Sequence, residues 1–227
     1  MRDYGLISDS HTAALVGTDG SIDWLCWPRF DSPSIFGAVL DDEKGGRFSV
    51  APIAGYQSSQ AYVPDTNVLV ALFETPGGRA EIVDFLAVNG RRRELYRRLT
   101  GVSGETKIEV AFAPRFNYGN VPPTFRRKAC SLIAAGAGGL VELHNSSSLE
   151  IKESSAAALW TLRPGERLKG ERVVPGLEGY MGSAPVRIGN GAADQFQLDV
   201  YGKALLCAAR YGELTGTISP KIWGADI

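Results

Sequence analysis

The chain has 227 residues, with 24 Lys+Arg against 25 Asp+Glu and a net charge of −1. That length fits one domain, or one domain plus a fragment, at roughly 100–200 residues per domain, and the charge gives no general grip on nucleic acid or an anionic membrane. A hydrophobic fraction of 44% with 22% charged residues is ordinary globular usage, and no apolar run reaches the ~18–20 residues of a membrane span.

The opening Met1-Arg2-Asp3-Tyr4-Gly5 places an acid and a glycine where a signal peptide carries its basic and apolar regions, so a cytoplasmic location is expected. Glycine is over-used, with 27 residues, which predicts many tight turns and suits short strands better than long helices. Cys26, Cys130 and Cys207 are far apart and lack a Cys-x-x-Cys pair, and they read as small buried hydrophobes. The two histidines, His11 and His144, are too few for a His-rich metal site. No cofactor or metal is expected. A triad from Ser10, His11 and Asp9 is set aside, because sequence neighbours rarely converge in that geometry.

The first 170 residues read as strands and turns. Runs at 12–16 and 21–27 flank Gly17-Thr18-Asp19-Gly20, and Asp-Gly is a strong hairpin signal. The second run carries large residues on both faces and is expected to be covered on both. After the loop Pro28-Arg29-Phe30-Asp31-Ser32-Pro33, Ser32 is placed to cap a short helix running to about Leu40. Runs at 67–75 and 79–85 flank Pro76-Gly77-Gly78, a second hairpin. In 105–113, Thr106, Ile108, Val110 and Phe112 alternate with Lys107 and Glu109, the pattern of a half-buried strand. Residues 91–99 fit either period and are read as a strand by context. Runs at 140–144, 149–152 and 156–162 complete the series, with Pro164-Gly165 as a turn. Such short, Gly/Pro-punctuated strands predict a mainly-β antiparallel sandwich.

Near residue 170 the grammar changes. A Gly/Pro-rich loop covers 175–190. A helix fits 192–211, with Phe196, Val200, Ala204, Cys207 and Tyr211 on one stripe, Asn190 as a cap and Gly212 as a stop. Residues 215–227 show no pattern. The expected division is 1–170, 171–214 and a tail at 215–227.

Two stretches carry a family resemblance. Asp3-Tyr4-Gly5-Leu6-Ile7-Ser8-Asp9-Ser10-His11-Thr12, Asp19-Gly20-Ser21-Ile22-Asp23-Trp24 and Pro28-Arg29-Phe30-Asp31-Ser32-Pro33-Ser34 resemble the opening of trehalase-like and glucoamylase-like members of glycoside hydrolase family 15. Pro64-Asp65-Thr66-Asn67 and Ala113-Pro114-Arg115-Phe116-Asn117-Tyr118-Gly119 are similar to later parts of the same N-terminal β-sandwich domain. The second stretch, Leu177-Glu178-Gly179-Tyr180-Met181-Gly182-Ser183-Ala184-Pro185-Val186-Arg187-Ile188-Gly189-Asn190, resembles a substrate-lining segment of the family's six-hairpin (α/α)6 catalytic barrel. The helix at 192–211 would then be a remnant of that barrel.

The resemblance implies hydrolysis of α-glucosidic bonds, as in carbohydrate metabolism, and an α-glucan or trehalose-type carbohydrate as partner. It also exposes a gap. The family's Trp-Leu-Arg-Asp clamp and the Trp-Glu motif of its general acid have no counterpart, and neither has its general base, so no catalytic residue is named. Independently, only 57 residues follow Gly170, whereas twelve barrel helices need more than about 120 before loops. The expectation is a truncated chain, catalytically silent.

Tyr180, Arg187 and Asn190 are the best remaining sugar-contact set, an aromatic face with two hydrogen-bonding partners. The plainer reading makes Tyr180 a half-buried loop aromatic and Asn190 a helix cap. Arg29 and Asp31 are candidates through the loop that the family resemblance brings toward the barrel mouth, although a salt-bridged structural loop is preferred. Asp9 and His11 are expected to support that loop, with His11 a satisfied structural histidine. Trp24 and Trp27 are expected as core and domain-interface aromatics, and an uncovered barrel-facing surface would favour self-association. Arg91, Arg92, Arg93, Arg97 and Arg98 are read as a solvated sheet edge or turn, not a nucleic-acid site. The alternative function is a noncatalytic sandwich module for glycan or protein binding.

Overall fold

A computed structural model of the chain describes residues 4–88, 93–128, 131–137, 139–144 and 149–167, with the backbone of 172–173 and 187–188. The chain divides into two compact units, residues 1–170 and 171–227. In the first unit the strands are β1 (Tyr4–Ser8), β2 (Ala13–Gly17), β3 (Ser21–Cys26), β4 (Ser34–Phe36), β5 (Arg47–Pro52), β6 (Gln57–Tyr62), β7 (Leu69–Thr75), β8 (Gly78–Leu86), β9 (Leu95–Gly104), β10 (Thr106–Ala113), β11 (Thr124–Lys128), β12 (Ser131–Gly136), β13 (Gly139–His144), β14 (Glu150–Lys152) and β15 (Ser155–Leu162). The second unit contains β16 (Arg172–Val173) paired antiparallel with β17 (Arg187–Ile188), which falls inside the loop read at 175–190. The helix read at 192–211 lies outside the described residues.

A large sheet runs in the order β1-β2-β3-β5-β10-β15-β14, with β4 added to β3. A second sheet, β6-β7-β8-β9, packs on it face to face, and a third, β11-β12-β13, adds to the same core. All pairings are antiparallel. The mainly-β antiparallel sandwich read from the sequence is the fold of this unit. Its interior follows the period of two: Leu69, Ala71 and Phe73 from β7 meet Phe48 and Val50 from β5 and Ile108, Val110 and Phe112 from β10. Phe36, Phe48 and Phe112 form a triangle of rings, with centroids 5.4–6.3 Å apart.

Both expected hairpins form. Gly20 donates to the Gly17 carbonyl at 2.9 Å and takes φ 76°, and a Cβ there would lie 2.2 Å from the Val50 carbonyl oxygen. Only glycine tolerates both the turn and that approach. Thr75 pairs with Gly78 around Pro76-Gly77, and Gly136 pairs with Gly139 where β12 turns into β13.

The two sheets are joined along both flanks. On one, Gly101 donates to Glu166 O at 3.0 Å and Thr100 bridges Arg167, so residues 163–167 cover the β9 edge. On the other, side chains of β6 and the loop after it serve the edge of β1 and the end of β2. The Tyr62 hydroxyl accepts from Leu6 N at 2.7 Å and donates to Leu6 O at 2.9 Å, while Gln60 Nε2 donates to Gly17 O and Asn67 Nδ2 to Ser8 O. These contacts satisfy main-chain groups that an edge strand otherwise leaves open.

Two readings are corrected. The helix expected from Ser32 to about Leu40 is replaced by strand β4, followed by turns. Ser34, Ile35 and Phe36 are all buried, and Leu25 pairs with Phe36 and Cys26 with Ser34. Ser32 Oγ accepts from Arg29 N at 3.2 Å instead of capping helical amides. Pairing and burial on both faces of a short apolar run outweigh a local capping signal. Within the arginine run, β9 is an edge strand and the Arg98 side chain is 51% exposed, Arg91 and Arg92 lie outside the described residues, and Arg97 departs from a solvated edge. Arg97 alternates inward with Leu95 and Leu99, opposite Asp84 on β8, and its side chain is 5% exposed. It makes a two-pronged pair with Asp84 at 2.9 and 3.0 Å and reaches the other sheet at Phe48 O, 2.6 Å, and Gly20 O, 2.7 Å. Its guanidinium also lies 4.9 Å from the centroid of the Phe48 ring.

Candidate functional site

The most built region of the surface surrounds the loop after β3. Asp9, its side chain fully buried, accepts from His11 N at 2.9 Å and Thr12 N at 2.8 Å and faces Arg93 at 3.3 Å. Burial by itself would raise this carboxyl, but the two amide donors, then Arg93 and His11, outweigh it and hold Asp9 below its ordinary value. Ser10 sits at φ 70° between them. Thr12 Oγ1 donates to Cys26 O, tying the turn to the end of β3. Burial pushes the Cys26 thiol up, as for the inert buried hydrophobe expected.

On this base stands the loop. Phe30 N donates to His11 O at 2.8 Å, Ser32 N to Arg29 O at 3.1 Å, and Trp27 N to Pro33 O at 3.5 Å. Arg29 Nε and Nη2 bind the Asp31 carboxylate at 3.0 and 3.4 Å, with both side chains about 70% exposed. The preferred reading of a salt-bridged loop therefore describes the geometry, and the pair itself adds at most about 1 kcal/mol. Ser10, His11, Arg29, Phe30 and Asp31 line an open cleft of about 370 Å³. His11 Nδ1 lies 3.1 Å from Asp9 O, a contact that needs the proton on Nδ1 and leaves Nε2 as the acceptor of the neutral ring.

The other side of the same loop forms a second concavity of about 320 Å³, walled by Trp27, Pro28, Pro33, Ile35, Phe116 and Leu140 among others. Leu140 of β13 lines it and is exposed, and Trp24 meets the Tyr118 ring with centroids 6.4 Å apart. Gly119 approaches Lys44 O, so the loops at 37–46 and 117–119 adjoin.

Of the residues singled out in sequence, Arg29 and Asp31 are brought together with His11. Tyr180 and Asn190 lie outside the described residues, and only the backbone of Arg187 is described. Phe30 was missed, although it stands between the two candidates. Its signal was an unpaired aromatic in a polar loop flanked by prolines. Arg93 was missed as the partner of Asp9, because a charge run gives no clue to a contact 84 positions away.

The buried acids among the described residues are engaged in structure. Asp84 is paired with Arg97. Asp23 accepts from Ser21 Oγ at 2.5 Å and Tyr4 OH at 2.9 Å. Among the described residues, no group of three or more His, Cys, Asp or Glu is placed to hold a metal ion. No helix among them is long and apolar enough to cross a membrane.

Comparison with known proteins points to one source. The chain is 41% identical to Trehalase 1 of Sulfolobus acidocaldarius over 129 residues, covering 56% of this chain and 22% of that protein. It is 32% identical over 145 residues to a trehalase of Mycolicibacterium smegmatis and 34% over 131 to one of Thermoplasma volcanium, each covering 55% of this chain and 22% and 21% of the relative. The chain thus spans about a fifth of the length of these curated relatives. No solved structure matches it. The profile described as "Trehalase-like, N-terminal" matches residues 2–158, nearly the whole of the sandwich and well over half of the sequence. The chain belongs to the trehalase-like N-terminal domain family.

Proposed function

We propose that this chain supplies the noncatalytic N-terminal sandwich of a trehalase-like glycoside hydrolase acting on α-glucosidic bonds, and that alone it hydrolyses neither trehalose nor maltooligosaccharides. The carrying observation is that the identity to trehalases falls on a segment about a fifth of their length. Inverting glycoside hydrolysis needs two carboxyls about 6.5–9.5 Å apart, one protonated and one ionised, held rigidly across the sugar. In the sandwich, Asp9, Asp23 and Asp84 are committed to amide, hydroxyl and guanidinium partners.

In this reading residues 171–214 are a piece of the catalytic barrel, with 215–227 a tail, and Tyr180, Arg187 and Asn190 form its sugar-facing loop. On the sandwich, Arg29 and Asp31 are proposed as carbohydrate-contacting residues of the loop after β3. Trehalose is favoured over glucoamylase-type α-glucans by the names of the relatives, and the proposed setting is cytoplasmic carbohydrate metabolism. The test is incubation of purified chain with trehalose and with maltooligosaccharides, followed by a glucose assay. No release above buffer is expected, and release proportional to protein concentration would overturn the reading.

A second reading, a module that docks a protein or associates with itself, is favoured by one observation. Leu140, 62% exposed, lines the concavity together with Trp27, Pro28, Pro33 and Phe116, and exposed apolar surface of this kind marks contact sites.

A further inference from the structure

The cleft beside Phe30 has a composition that selects for one ligand chemistry. Phe30 is 57% exposed, yet its main chain is held by His11 O and its loop is closed by the Arg29–Ser32 contacts. A large apolar ring is therefore presented on an ordered loop, and little loop entropy remains to be lost on binding. Around the ring stand a guanidinium, a carboxylate, an imidazole and a hydroxyl, from Arg29, Asp31, His11 and Ser10.

The charges settle what kind of molecule fits. Arg29 and Asp31 neutralise each other at 3.0 Å, so neither an anion nor a cation is favoured over water. Each nevertheless keeps hydrogen-bonding capacity. Arg29 uses Nε and Nη2 on Asp31, which leaves Nη1, and each Asp31 oxygen accepts one bond of the two or so it can take. His11 donates through Nδ1 to Asp9 O at 3.1 Å, so Nε2 is the ring nitrogen left for a ligand. An apolar face beside a neutral set of donors and acceptors matches a pyranose, which has C–H groups on one side and hydroxyls at its rim.

We propose that Phe30, Arg29, Asp31, His11 and Ser10 form a sugar-binding subsite on the sandwich for a neutral hexopyranose. The choice of a glucosyl ligand rests on the trehalase-like reading above; the cleft and its chemistry do not. Asp9 and Arg93 act as positioning residues, fixing the turn from which His11 O holds Phe30.

The test is titration of the full 227-residue chain with trehalose and with methyl α-glucoside, followed by amide proton–nitrogen NMR, with glycerol as a polyol that lacks an apolar face. Saturable shifts at His11, Arg29, Phe30 and Asp31 with millimolar midpoints are expected. Phe30→Ala should raise the midpoint at least tenfold with an unchanged melting curve, and Phe30→Trp should keep binding. Absence of saturable shifts, the same shifts with glycerol, or an unaltered midpoint in Phe30→Ala would each overturn the subsite. Such a failure leaves the glucose-release result untouched, and glucose release would sink the silent-domain reading whatever the titration gives.

Discussion

The Arg97–Asp84 pair is the sharpest test of how this sandwich is held. Both side chains face the interior, at 5% and 2% exposure, and Arg97 carries four hydrogen bonds spread over both sheets. Arg97→Met keeps an aliphatic stem and leaves the Asp84 carboxylate uncompensated, which costs about 3–5 kcal/mol. The cation–π contact with Phe48 adds about 0.5–2 kcal/mol, partly returned by the methionine thioether. The lost bond to Gly20 O weighs less, because Val50 N still reaches that oxygen at 3.2 Å. Asp84→Asn should cost less, about 1–3 kcal/mol, since the amide oxygen still accepts from Arg97 and the two main-chain oxygens remain. Urea unfolding followed by tryptophan fluorescence reads this directly. At a slope of about 2 kcal/mol/M, a loss of about 4 kcal/mol moves the midpoint by about 2 M. The double variant Asp84→Leu with Arg97→Met should be more stable than Arg97→Met alone, because both charges leave together. A loss below about 1 kcal/mol for Arg97→Met, or additive single effects, would refute the claim that a coupled buried pair joins the sheets.

Two further outcomes follow from single contacts. Asp9 has a folded-state pKa below its unfolded value, so its contribution is fully present above the unfolded pKa of about 3.9 and is lost as the pH falls through the lower folded value. Asp9→Asn should flatten the acid limb of the urea midpoint below about pH 4, and an unchanged acid limb would remove Asp9 from that role. Tyr62→Phe deletes both bonds to Leu6 and should cost about 1 kcal/mol while speeding exchange of the Leu6 amide by up to about tenfold. Unchanged exchange would show that water replaces the hydroxyl without loss.

The strands legible in sequence are those whose own residues carry the period. Thr106, Ile108, Val110 and Phe112 announce β10, and Pro76-Gly77 announces the turn before β8. Strand β6, Gln-Ser-Ser-Gln-Ala-Tyr, has no apolar alternation, and its place is set by the ladder with β7. Strand β11 is similarly polar, and β1, β5 and β12 went unread among their turns. The false helix after Ser32 had a sound local signal, yet Ile35 and Phe36 were claimed by β3 and the core. Arg97 shows the limit most clearly. Within a run of five arginines nothing distinguishes it, and only the register with Asp84 turns it inward. For the cleft, Arg29 and Asp31 could be paired on paper, but the platform between them required the fold of the Asp9 turn.

The two flanks of the sandwich are closed by different means. Main chain joins main chain at Gly101 and Glu166, where a Cβ on Gly101 would lie 2.2 Å from Arg163 O, so glycine alone keeps that contact. Across the opposite flank, Gln60, Tyr62 and Asn67 act as an interrupted surrogate strand along β1 and β2. That border is therefore open to mutational drift. A homologue lacking these three residues would bare an extended ribbon ready to accept a foreign segment, so invasion by another chain is an accident this molecule averts with three side chains.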